Sequence, residues 1–282
     1  MGPLATRPVD REGAKMSRLS ETQVQQFKDE GWLAPFRADS ASQAGEFRRR
    51  IEGFEEQTGL SAEGSFKIKG HLASPWMVDL ACHPAILDVV EDLIGPNILL
   101  LRSSIFAKNA RDAGYVSWHQ DSLYYGQSPL LSLTAWVAFT PSNRTNGCLR
   151  VIPGTHRNGN LEHEERKTPQ NLLARGHTVK ELDDSNAVDL ELDAGEFSIH
   201  YESCVHGSEP NTSGDRRIGM AFFYAPTHVQ SLKGRRAAVL VRGQDEYGYW
   251  EPEVLPRYDQ DPLTIGALAD TWKRFSNAEF KA

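Results

Sequence analysis

From Asn97 to Ala225 the sequence is a succession of short runs rich in branched and aromatic residues, each cut off by Gly, Pro, Asn or Asp. Such runs are strands, because β-branched and aromatic side chains suit a pleated, half-buried surface and the punctuating residues supply the turns. The strands read as Ile98–Lys108, Val116–His119, Ser132–Thr140, Leu149–Ile152, Ala187–Leu192, Glu196–His200, Ser203–Ser208 and Arg217–Ala225. That is enough for a mainly β fold of the double-sheet jelly-roll type.

The N-terminal third reads differently. In "LSETQVQQFKDEGWL", Ser20 with Gln23 is a capping box and Gly31 a stop, so Leu19 to Glu30 is a helix running into a strand. Ser40 to Thr58 repeats the helical period through Phe47, Ile51 and Phe54, and Pro84 to Leu93 starts with proline in its first turn. Helices are therefore expected to brace one face of the β structure. The segment Asn158–Asp184 is polar with little period, which marks a long excursion of the lid or binding-loop kind.

Length and composition narrow the function. The chain has 282 residues, which one β domain can accommodate, so residues 17–282 are read as a single domain after a charged, Pro-containing leader over 1–16 that lacks an apolar signal core. No apolar run is long enough to span a bilayer. With 31 basic against 38 acidic side chains the net charge is −7, which disfavours nucleic acid and favours a small-molecule partner. Cys82, Cys148 and Cys204 are widely spaced and odd in number, which argues against a disulfide framework and for a reducing, cytoplasmic setting. Nothing in the sequence sets an oligomeric state.

Chemistry concentrates in two segments. In "SWHQDSLYY", His119 and Asp121 are two apart, so on a strand they point to one side while Gln120 points away. An imidazole and a carboxylate from one strand, completed by one more histidine, leave three positions open on iron(II), as a reaction needing a chelating cosubstrate and dioxygen requires. Alone, His-x-Asp is common and often means a strand-end histidine beside a solvated aspartate. The second segment, "YESCVHGSEPNTSGDRRIGMAFFYAP", changes the balance. His206 and Arg217 are eleven residues apart across a Gly, Pro and Asn-rich turn, a spacing that suits adjacent antiparallel strands. An arginine fork pairs bidentately with a carboxylate such as the distal one of 2-oxoglutarate. His200, six residues before His206, shares its parity and is a rival ligand. His71, His83, His156, His163, His177 and His228 lack partners at ligand spacing and are read as structural.

Together with "IFAKNA" and "LTAWVAFTPSNRTNGCLRVIPGTHR", these segments stand in an order that resembles the phytanoyl-CoA dioxygenase family of iron(II) and 2-oxoglutarate oxygenases, and the resemblance covers most of the chain. It implies a cupin-like double-stranded β-helix with iron(II) on His119, Asp121 and His206 and 2-oxoglutarate on Arg217 in preference to Arg216. Strand phase agrees, since Arg217, Gly219, Ala221 and Phe223 share a face. By the same resemblance Thr134, Trp136 and Ser208 bind the cosubstrate, while Phe106, Lys108, Tyr124 and Tyr125 face the substrate. Each of these has a bland alternative: Trp136 as core packing, Lys108 as a solvated lysine, the tyrosines as barrel-edge caps. The implied reaction uses dioxygen to hydroxylate a small molecule, with succinate and carbon dioxide released. Desaturation, cyclisation or epimerisation by the same centre stays open, as does a non-catalytic metabolite-binding protein. Halogenating relatives replace the carboxylate by glycine or alanine, whereas this sequence keeps Asp121.

Overall fold

A computed structural model describes residues 17–173 and 175–276, so the leader read over 1–16 lies outside the described residues. Helix α1 (Glu21–Glu30) begins at the expected capping box: Gln23 N–H donates to Ser20 Oγ at 3.2 Å and Ser20 N–H to Gln23 Oε1 at 3.0 Å. It stops at Gly31, with φ +86°, whose N–H donates to Phe27 O. No other residue fits there, since a Cβ would lie 2.4 Å from His156 Nδ1. Strand β1 (Trp32–Arg37) follows, then α2 (Ala41–Thr58), capped by Ser40 and ended by Gly59. The short helices α3 (Ala62–Ser65) and α4 (Pro75–Ala81) precede α5 (Pro84–Ile94), which opens on its proline.

Strands β2 (Ile98–Lys108) and β3 (Val116–His119) lead into one helical turn, α6 (Ser122–Tyr125), then β4 (Gln127–Ser128), β5 (Leu133–Ala138) and β6 (Leu149–Val151). A hairpin of β7 (His163–Glu165) and β8 (His177–Val179) comes next, followed by β9 (Val188–Leu190), β10 (Glu196–Tyr201), β11 (His206–Ser208) and β12 (Arg217–Pro226). Strands β13 (Gln230–Ser231), β14 (Ala237–Arg242) and β15 (Glu251–Pro252) precede the last helix, α7 (Pro262–Ser276). The sheets run β1-β10-β5-β12-β2-β14-β15 and β3-β11-β6-β9. Their pairings are antiparallel apart from β14 with β15. This is a double-stranded β-helix, and the eight strands expected from Asn97 onward all lie in its two facing sheets, to which β1, β14 and β15 add at the edges of the larger one.

The larger sheet is covered on both sides, which explains why β12 is buried at every position and reads as an unbroken apolar run after its arginine. Its outward residues Ile218, Met220, Phe222 and Tyr224 share one core with Phe47 and Ile51 of α2. Each such side chain contributes about 2 kcal/mol by leaving water. The inward residues Ala221 and Phe223 pack with Trp136 and Ala138 in a second cluster between the sheets.

Two expectations are corrected. The strand read as Ser203–Ser208 is only His206–Ser208, because Cys204 N–H donates to Tyr201 O and folds 201–205 into a turn. The excursion contains the β7–β8 hairpin, whose strands carry a single apolar residue, Val179, and so offer no alternation to read. Helix α7 was not expected, although Asp261 before Pro262 is a helix-start signal and Leu268 reaches the core. Among the described residues no helix is long and apolar enough to cross a membrane.

Candidate metal centre

His119 ends β3 and His206 opens β11, and the two residues are direct partners in the antiparallel register. Their rings lie with centroids 4.1 Å apart. His119 Nδ1 faces the carbonyl oxygens of Ser117 at 2.9 Å and His206 at 3.1 Å, while His206 Nδ1 faces Cys204 O at 2.9 Å. A carbonyl only accepts, so each Nδ1 carries a proton and each ring turns its Nε2 inward. Burial, with the charges of His119 and His200, pushes the His206 imidazolium far below its usual range and keeps that ring neutral.

Asp121 reaches the same point by a route that strand alternation does not supply. The strand ends at His119, and Asp121 is right-handed helical (φ −66°, ψ −33°) as the cap of α6. The turn swings its carboxylate to 3.4 Å from His119 Nε2 and 3.8 Å from His206 Nε2. Burial alone would raise this carboxyl, but the two histidines and the Arg102 guanidinium beside it outweigh burial and hold it well below the usual carboxylate range. Ligand atoms of the three residues all lie within 4.8 Å of one another. Two imidazole nitrogens and a carboxylate converging on one point are the donors a divalent cation takes, so the set fits a metal of the iron type.

Gln120 points away, as expected, into a buried seat. Its Nε2 donates to Gly159 O at 2.8 Å and Ser203 O at 2.6 Å, and its Oε1 accepts from Leu161 N–H at 2.7 Å. Its backbone N–H donates to His163 Nε2. The residue between the two candidate ligands thus ties the centre to the excursion. Gln120→Leu leaves two carbonyls and one N–H unpaired, and each buried unpaired group costs about 1–3 kcal/mol. The expected result is a thermal denaturation midpoint lowered by the equivalent of about 3 kcal/mol, together with weaker metal binding; an unchanged midpoint would rule out this anchoring.

Across the cavity Arg217 opens β12 opposite Lys108. The guanidinium is buried, donates to Gly147 O at 2.9 Å and sits 5.3 Å from the Trp136 ring centroid. Its Nε has no partner, and among the described residues no carboxylate pairs with it. Burial lowers its pKa to about 10, so it stays charged at neutral pH. Arg216 faces the surface and pairs with Glu55 at 2.7 Å. Lys108 is buried beside Arg217, where its Nζ donates to Ser208 Oγ at 2.8 Å and to Glu209 O. Burial and the Arg217 charge push it down to about 7. Lys108 thus faces the arginine end of the cavity and is not a solvated lysine. Trp136 lies over Gly219, where a Cβ would come within 2.3 Å of the indole.

The void joining these groups spans about 950 Å³ counted out to its mouth. Of the expected residues, His119, Asp121, His206, Arg217, Ser208, Thr134, Trp136, Phe106, Lys108 and Tyr125 line it, and the Tyr124 side chain lies outside the described residues. His200 also lines it, with its ring 4.6 Å from that of His206, but it is not part of the ligand cluster. Burial pushes its pKa down to about 4. His156 is structural as expected, its Nε2 donating to Lys28 O.

Sequence reading missed Leu172 and Leu173 of the excursion at the mouth, with Lys67 Nζ donating to Leu172 O at 2.7 Å. It also missed Arg102, whose guanidinium lies between the Tyr125 and Phe223 rings and pairs with Glu202 at 3.0 Å. A lone arginine within the apolar run of β2 is the signal that marks it.

The sequence profile of the phytanoyl-CoA dioxygenase (PhyH) family matches residues 18–219. A probable phytanoyl-CoA dioxygenase of Caenorhabditis elegans is 27% identical over 73% of this chain and 69% of its own length. Among solved structures, the apo form of the non-heme monooxygenase ThoJ is 28% identical with a TM-score of 0.80, covering 92% of this chain and 97% of that one. CytC3 with Fe(II) and alpha-ketoglutarate is 26% identical with a TM-score of 0.65, covering 86% and 96% respectively.

Proposed function

The chain belongs to the phytanoyl-CoA dioxygenase family, and from that premise we propose that His119, Asp121 and His206 hold its iron(II) and Arg217 its 2-oxoglutarate while it hydroxylates a C–H bond of a small molecule. It is an Fe(II)- and 2-oxoglutarate-dependent dioxygenase. The observation that supports the residue assignment best is the inward convergence of two imidazoles and a carboxylate, with a buried guanidinium across the same cavity that lacks a carboxylate partner among the described residues. Iron(II) in that place supplies the centre at which a keto acid and dioxygen react.

The protein's part is binding and placement. His119, Asp121 and His206 would hold the metal, which would supply the chemistry that a keto acid and dioxygen need, and the cavity lies alongside them. Arg217 and Lys108 receive the distal carboxylate of the keto acid, with Ser208 Oγ beside them. Trp136, held over Gly219, forms a wall of the cosubstrate space. Phe106, Val116, Leu172 and Leu173 give the mouth an apolar lining, which suits a substrate with an apolar body and keeps bulk water from the centre. Overall, 2-oxoglutarate, dioxygen and R–H become succinate, carbon dioxide and R–OH, with one oxygen atom going to succinate and the other to the product.

Anaerobic addition of iron(II) and 2-oxoglutarate is expected to produce the visible charge-transfer band of the chelate, and folded, metal-loaded protein without that band would overturn the reading. A metabolite library scored by substrate-dependent succinate release then identifies the substrate. Product mass separates an added oxygen from the loss of two hydrogens in desaturation or ring closure.

Lys108 gives the site a pH dependence. Its pKa is lowered to about 7, so both cations are present below that pH and only Arg217 is charged well above it. Binding a carboxylate favours the ammonium, so affinity for 2-oxoglutarate is fully present below about pH 7 and weakens as pH rises beyond it. Titrations of the metal-loaded protein from pH 6.5 to 9 should show this decline, and Lys108→Met should abolish it. A slope that survives in Lys108→Met would mean another group is responsible.

A further inference from the structure

His200 and Thr134 are register partners on β10 and β5, with their side chains side by side on the cavity wall. Both residues are almost wholly buried, at 1% and 2% exposure. Even so, among the described residues both ring nitrogens of His200 and the Oγ1 of Thr134 lack any hydrogen-bond partner. Native proteins seldom leave such groups unpaired, because each orphaned donor or acceptor forfeits its water without compensation. The His200 ring faces His206, which places the unpaired atoms beside the proposed metal position.

The cavity therefore has two polar ends of different character. Arg217 and Lys108 are register partners at one end of β12, and Thr134 pairs with Phe223 further along it, but the Arg217 guanidinium leans back to 5.3 Å from the ring of Trp136, two residues from Thr134 on β5, so the two ends stand much closer than the strand positions do. The first end is cationic and the second offers a neutral ring N–H and a hydroxyl. A dicarboxylate with one free end and one metal-bound end matches this asymmetry. The free carboxylate needs full charges, whereas a carboxylate that shares its charge with a metal needs only neutral donors.

Resting on the reading of the site given above, we propose that His200 and Thr134 form a hydrogen-bonding subsite for the metal-side carboxylate of 2-oxoglutarate, opposite the end held by Arg217. His200 is thus a cosubstrate-binding residue and not an alternative metal ligand.

The test separates metal binding from keto-acid binding. Co(II) affinity is measured spectroscopically without 2-oxoglutarate, and 2-oxoglutarate affinity is then measured anaerobically on Co(II)-saturated protein by calorimetry. Wild type is compared with His200→Leu, His200→Gln and Thr134→Val. The expected result is Co(II) affinity within about twofold of wild type in every variant. The 2-oxoglutarate dissociation constant should rise about tenfold in His200→Leu and Thr134→Val, with substantial recovery in His200→Gln, which keeps an N–H donor. Thr134→Val is nearly isosteric and carries the same expectation if the leucine variant does not fold. Unchanged 2-oxoglutarate affinity in the folded variants overturns the proposal, as does a loss confined to Co(II), which would make His200 a prop for His206. If Co(II)-saturated wild type itself fails to bind 2-oxoglutarate, the underlying site reading falls as well.

Discussion

Replacing His119 with alanine is expected to weaken metal affinity by more than a hundredfold and to reduce 2-oxoglutarate turnover below about 1% of wild type. Loss of an outer partner that merely orients a metal ligand typically costs 10–100-fold, so loss of a ligand should exceed that range. The geometry sharpens the expectation. His119 Nδ1 is committed to the carbonyls of Ser117 and His206, so its Nε2 is turned toward Asp121 with no freedom to be replaced by a neighbour. His200 is buried beside the centre but is not among the convergent ligand atoms. Asp121→Asn is the companion variant, since it keeps the shape of the side chain and removes its charge. Anaerobic Co(II) titration with circular dichroism as a folding control checks both. Metal affinity near wild type in folded His119→Ala would overturn the ligand assignment.

Arg217→Met should raise the dissociation constant of 2-oxoglutarate by about a hundred- to a thousandfold while leaving metal affinity intact. Truncating one partner of a buried charge pair costs about 3–5 kcal/mol, because the remaining charge is left in a poorly solvated place. Here the protein supplies no carboxylate of its own to the guanidinium among the described residues, so on the proposed reading the cosubstrate is the counter-ion. Arg216→Ala is the control. That residue faces outward to Glu55 and Glu52, and loss of such a surface pair costs at most about 1 kcal/mol without touching the cavity. If the two variants exchange phenotypes, strand β12 presents the opposite face and the site must be rebuilt.

Much of the fold could be read because its signals are short-ranged. The capping box at Ser20 and Gln23, the glycine stop at Gly31, the proline at the start of α5 and the full extent of β2 and β3 each depend on residues within a few positions of one another. The same holds for the phase of β12, where parity alone turns Arg217 inward and Arg216 out. Where local patterning is weak, the reading stopped short. The β7–β8 hairpin is held by cross-strand backbone bonds, ion pairs and the packing of one residue, Val179, and a single apolar side chain makes no stripe to betray it.

The sequence by itself determined which residue types were on hand for the chemistry and on which strands most of them ride: His119 beside Asp121, His206 before a turn, Arg217 at a strand start. Only the tertiary structure decided how they meet. It swings Asp121 into place by a helical turn in place of strand alternation, buries Lys108 beside Arg217, brings Leu172 and Leu173 over the mouth and leaves His200 next to the ligands but outside their cluster. The division has a physical cause. Caps, turns and strand parity are energies of near neighbours, whereas the pairing of His119 with His206 is a register between distant segments, chosen by the packing of two whole sheets.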